Sequence, residues 1–157
     1  MDNNINEYKY LFNNEEKRTS IIKEFEQNIN IYMQETERIW EETKTIDKSS
    51  SKFNEYSQKV LQELQKLNDD LRKLSELKSE NFRKDVNFLL NLERENYKLT
   101  LTMYLNKIQC FELLKNDEDD YKVLRKEKEI ATMKSNLFSI REEINDFITN
   151  LKYKYLH

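Results

Sequence analysis

The sequence predicts an all-α fold, an elongated antiparallel four-helix bundle or folded-back coiled coil, on three observations. The 157 residues include no glycine and no proline, where average usage of about 7% and 5% would supply roughly nineteen. Apolar residues recur in alternating three-four steps along four stretches. Charged residues reach 36% and mean hydropathy falls to −0.98, which suits long helices with most of their circumference in water. Without glycine and proline the chain has little means of making tight hairpin turns or ligand-cradling loops. A single domain, residues 1–157, is expected at this length.

The first helix, about 5–45, carries Tyr8, Leu11, Ile22, Phe25, Ile29, Tyr32, Thr36 and Ile39 on one stripe, with Phe12, Met33 and Trp40 beside it. Two members of the stripe, Glu15 and Arg18, are charged. The spacing fades between Thr43 and Ser51, where Asp47 and three serines favour caps and turns over helix interior. The second helix, about 52–79, follows Phe53, Ser57, Val60, Leu64, Leu67, Leu71 and Leu74. Residues 79–81 are a candidate turn that nothing in the sequence forces, so a continuous helix stays open there.

The third helix, about 82–115, shows two stripes: Leu90, Tyr97, Leu101, Tyr104, Ile108 and Phe111, and beside them Leu92, Leu99, Met103, Cys110 and Leu114. Two stripes imply two neighbours. The acidic run from Asn116 to Asp120 breaks the pattern and is expected to cap the next helix and oppose its N-terminal dipole. The fourth helix, about 119–155, places Val123, Ile130, Met133, Leu137, Ile140, Ile144, Phe147 and Leu151 in register. Helices of these lengths extend on the order of 40 to 60 Å. Short connections between them make neighbours antiparallel.

Composition narrows the function classes. A net charge of −3 and a pI near 5.5 supply no global basic field, so direct nucleic-acid binding is not expected. The most apolar stretch, Tyr97 to Leu114, is interrupted by Lys98, Lys107 and Glu112 and does not suit a membrane span. One cysteine, Cys110, rules out an intramolecular disulfide and reads as a small core residue in a reducing compartment. The N-terminus lacks the signature of a signal or transit peptide. A soluble intracellular protein of nucleus, cytoplasm or cytoskeleton is expected.

Catalytic chemistry has few carriers. The one histidine, His157, is terminal, which removes most triad and zinc arrangements. A di-iron bundle needs Glu-x-x-His on two helices, and phosphate loops need glycine. Adjacent carboxylates such as Glu41-Glu42 and Glu142-Glu143 point to different helix faces. No enzyme activity, cofactor, metal or small-molecule substrate is expected. The candidate partner-facing or register residues are Glu15, Arg18, Trp40, Tyr97 and Tyr104. Glu15 and Arg18 either meet at i, i+3 near an exposed end, which is the expectation adopted, or fix register and partner choice.

Glu15-Glu16-Lys17-Arg18 followed by Phe25 and Tyr32, then Phe53 and Ser57 with Leu64 and Leu71, then Leu92-Glu93-Arg94-Glu95 with Lys98, Leu99 and Thr102, together give a distinct order of features. In that order the chain resembles the required-for-excision family, B type, of eukaryotic helical proteins associated with DNA repair, over roughly residues 8 to 114. The resemblance implies an association with excision repair and supplies no active site. The expected function is a non-enzymatic helical adaptor or scaffold subunit with protein partners on its helix faces, as a homo-oligomer or in a large complex. The alternative is a cytoskeletal or axonemal, microtubule-associated structural component.

Overall fold

The computed structural model describes residues 2–45, 51–115 and 120–156, and within them the chain forms four helices: α1 (Asp2–Thr43), α2 (Ser51–Glu76), α3 (Glu80–Lys115) and α4 (Asp120–Leu156). No strand occurs among the described residues. α1 packs against α2 and α4, α3 packs against the same two, and α1 faces α3 across the diagonal. Cross-helix partners fix the directions. Along α1, Glu7, Asn14 and Phe25 meet Lys78, Leu67 and Phe53 in turn, while Tyr8 and Glu26 meet Tyr155 and Arg141. Numbering therefore falls along α2 and α4 as it rises along α1, an up-down-up-down antiparallel bundle.

At 1.5 Å per residue the 42 residues of α1 extend about 63 Å and the 26 of α2 about 39 Å. The last turns of α1 lie against the end of α3, where Lys115 Nζ reaches Glu37 Oε1 at 2.9 Å and sits 4.2 Å above the Trp40 ring. Without a glycine to end it, α1 closes through Lys44 at φ 55°. Its amide donates to the Trp40 carbonyl at 2.7 Å. A left-handed residue at this position is the common helix terminator, and a residue with a Cβ adopts it at a steric cost.

Between α2 and α3 the open question at 79–81 is resolved as a break just before it. The Leu77 and Lys78 amides donate to Leu74 and Ser75 carbonyls, each at 3.2 Å, tightening the last turn. The Ser79 hydroxyl then accepts from the Phe82 amide at 3.3 Å, the N-cap of α3. The capping expected of Asn116 to Asp119, and the serines from Ser49 to Ser50, lie outside the described residues, as does His157.

The core divides into two apolar clusters. One gathers Tyr8, Leu11 and Phe12 with Leu71, Phe82, Val86, Leu89, Ile144 and Leu151. Tyr8 stacks on Tyr155 at 3.6 Å between ring centroids, meets Phe82 edge-on at 5.1 Å, and donates its hydroxyl to Asp85. The other cluster gathers Ile22, Phe25 and Ile29 with Phe53, Val60, Leu64, Met103, Tyr104, Ile108 and Leu137. On every helix the fully buried members of the two clusters leave a gap, into which half-buried Leu67, Leu92, Tyr97, Leu99 and Ile140 extend from the clusters. The gap falls at 13–21 on α1, 65–70 on α2, 91–102 on α3 and 138–143 on α4.

Candidate functional site

Every fully buried side chain in that gap is polar or charged. Arg18 is 2% exposed and Glu15 8%; from α3, Glu93, Asn96 and Thr100 are buried at the same level. The exposed-end expectation for Glu15 and Arg18 is therefore corrected: both point inward at mid-bundle. A buried guanidinium and carboxyl are tolerated only when neighbours replace the water they lose, and here all four helices contribute.

Arg18 donates from Nε to Asn14 Oδ1 at 2.9 Å and from Nη2 to Asn68 Oδ1 on α2. Asn14 is itself oriented by donating Nδ2 to the Leu67 carbonyl at 3.1 Å. On the other side of the layer Arg141 of α4 donates from Nε to Asn96 Oδ1 at 3.0 Å and from Nη2 to Thr100 Oγ1 at 3.1 Å, and its Nη2 also pairs with Glu26. Asn96 Nδ2 passes the chain on to Glu93 Oε2 at 3.5 Å.

Glu15 and Glu93 meet at the centre. If both were ionised, two buried carboxylates would adjoin and Glu15 Oε2 would have no donor. A proton on Glu15 removes both problems, because the acid then donates to Glu93. Burial first, then the hydrogen bond and charge of Glu93, push the Glu15 carboxyl up to about 10, against the opposing pull of Arg18. With Glu15 neutral, the guanidiniums of Arg18 and Arg141 face the carboxylates of Glu26 and Glu93, two charges against two.

Two cavities flank this layer on opposite faces. The one between α1 and α4 has a volume of about 360 Å³ and is lined by Glu15, Glu26, Glu93, Asn96 and Arg141. The other lies between α2 and α3, about 470 Å³, with Arg18 on its floor. Glu93 borders both. Thr19 and Lys23 also line the first, the Thr19 hydroxyl donating to the Glu15 carbonyl at 3.1 Å. Among the described residues no group of three or more His, Cys, Asp or Glu is placed to hold a metal ion.

The other sequence-derived candidates are dispersed. Tyr104 is buried in the cluster of Ile22, Phe25 and Ile29, edge-on to Phe25 at 6.1 Å, and takes no outward position. Burial raises its phenol above the usual range. Trp40 is half-buried beneath Lys44 and Lys115. Tyr97 is half-buried in the wall of the α2/α3 cavity. Cys110 is buried and unpaired, its thiol raised chiefly by burial. Asn68, Glu93, Asn96, Thr100 and Arg141 were not candidates from the sequence. The only signal was their own three-four spacing on α3, at 93, 96 and 100, hidden by its polarity.

On the outside, Leu124, Ala131 and Phe138 follow one another at seven-residue steps along an exposed face of α4, with Leu156 on the same side. Phe138 is 64% exposed and Leu124 50%. Among the described residues no helix is long and apolar enough to cross a membrane. Compared with known proteins, the chain matches no family model, no curated protein and no solved structure.

Proposed function

We propose that the protein is a non-enzymatic helical adaptor or scaffold subunit that docks through the outer face of α4. The observation that carries this reading is the exposed line of Leu124, Ala131 and Phe138. An amphipathic helix spends apolar residues inward, and α4 already does so through Val123, Leu137, Ile144, Ile148 and Leu151. A second apolar line at heptad spacing is the pattern by which one helix receives another. The polar layer is consistent with the same reading, because its arginines hydrogen-bond from helix to helix, Arg18 to Asn68 and Arg141 to Asn96 and Thr100. The link to excision repair rests on the resemblance of residues 8 to 114 and is part of the proposal.

The test compares tagged wild-type protein with a Leu124→Asp, Phe138→Asp variant in affinity purification followed by partner identification. Both residues are exposed, so the melting temperature should hold while a stoichiometric partner is lost. Equal recovery of that partner by both proteins would overturn α4 as the docking face. Turnover of any substrate by the purified chain would overturn the non-enzymatic reading.

A further inference from the structure

The cavity between α2 and α3 concentrates positive charge. Arg18 forms its floor, Arg72 rises from α2, and Arg94 and Lys98 rise from α3, against one bordering acid, Glu93. In a chain of net charge −3 this is a local excess of the opposite sign. Arg94 and Lys98 stand one turn apart on the same helix, where like charges repel. Burial, first, disfavours the Arg18 cation, Glu93 and Glu15 favour it, and Arg72 opposes it more weakly, with a net lowering of the guanidinium. Arg18 is satisfied by the neutral amides of Asn14 and Asn68. Among the described residues no carboxylate oxygen lies within 4.0 Å of Arg18, Arg72, Arg94 or Lys98.

The rest of the wall is of a different character. Tyr97 and the side chains of Leu61, Leu64 and Leu90 present an aromatic and aliphatic surface beside the four cations. A volume of about 470 Å³ lies within the range that small ligands occupy. Its floor is a guanidinium that is 2% exposed, which acts on a bound anion mainly through its charge, while Arg72, Arg94 and Lys98 stand at the open side. We infer that this cavity binds a small organic phosphate, its anionic head between Arg18, Arg72, Arg94 and Lys98 and its apolar part against Tyr97. Arginine forks match phosphate oxygens in pairs, and a bound dianion removes the repulsion among the four cations. The inference does not depend on the α4 face docking a partner.

Phenyl phosphate and inorganic phosphate, titrated at matched ionic strength, test it by calorimetry and by amide chemical-shift mapping. Saturable binding of phenyl phosphate is expected with a Kd below about 1 mM, with shifts centred on 61–72 and 90–98. Inorganic phosphate should bind more weakly. Arg94→Gln with Lys98→Gln, both exposed, should weaken phenyl phosphate binding at least about tenfold and leave the fold intact. Lys128→Gln with Lys134→Gln, which removes the same charge from α4, should leave affinity unchanged. No saturable binding, an unchanged affinity in the first variant, or an equal loss in both would overturn the assignment.

Discussion

Glu15 is the residue on which the charge balance of the layer turns. From α1 it faces Arg18, from α3 Glu93 and Asn96, from α4 Arg141, and Arg72 of α2 lies beyond Arg18. Its carboxyl titrates near 10 in the folded protein and near 4.3 in an unfolded chain. Between those values the folded state holds one more proton than the unfolded state, so stability falls as pH rises. The slope from this group is at most about 1.4 kcal/mol per pH unit, and its contribution is complete below the unfolded value. Urea denaturation at pH 5, 7 and 9 should show this decline in the wild type and a flatter profile in Glu15→Gln, whose amide donates to Glu93 at every pH. Parallel profiles would show that the proton is not on this carboxyl.

At the scale of the helix, capping and seam are separable. Ser79 starts α3 through one hydroxyl contact, so Ser79→Ala should cost about 1 kcal/mol, read as a lower urea midpoint with an unchanged m-value. A larger m-value change would mean that the α2–α3 corner had altered. The seam of α2 is legible from sequence because its members are apolar: Phe53, Val60, Leu64 and Leu71 are all buried. On α3 the spacing of Leu90 with Tyr97 and Leu92 with Leu99 drew attention to the flanks. The deepest line is Phe82, Val86, Leu89, Glu93, Asn96, Thr100 and Met103. Hydropathy hides that line wherever it turns polar. It equally gives no sign that Glu15 and Arg18 are interior, since their partners Glu93 and Asn68 lie some 78 and 50 residues away. Whether a charged residue on an apolar stripe marks an end or a middle is decided by the other helices.

At the scale of the whole molecule the layer trades stability for definition. Four helices with apolar heptad seams could slide by a heptad or pair with a second chain, and a buried polar layer penalises each mispairing. Replacing Glu15, Arg18 and Glu93 together by Leu should raise the melting temperature while turning one species into several in sedimentation velocity. A more stable protein that stays a single species would show that the apolar clusters define the arrangement unaided. The neutrality of the layer has an evolutionary consequence as well. No one of Glu15, Arg18, Glu26, Glu93 and Arg141 can change its charge without stranding a group on another helix. Descendants of this sequence should therefore alter these positions as a block or keep them all, while leucines such as Leu64 and Leu71 drift singly among similar volumes.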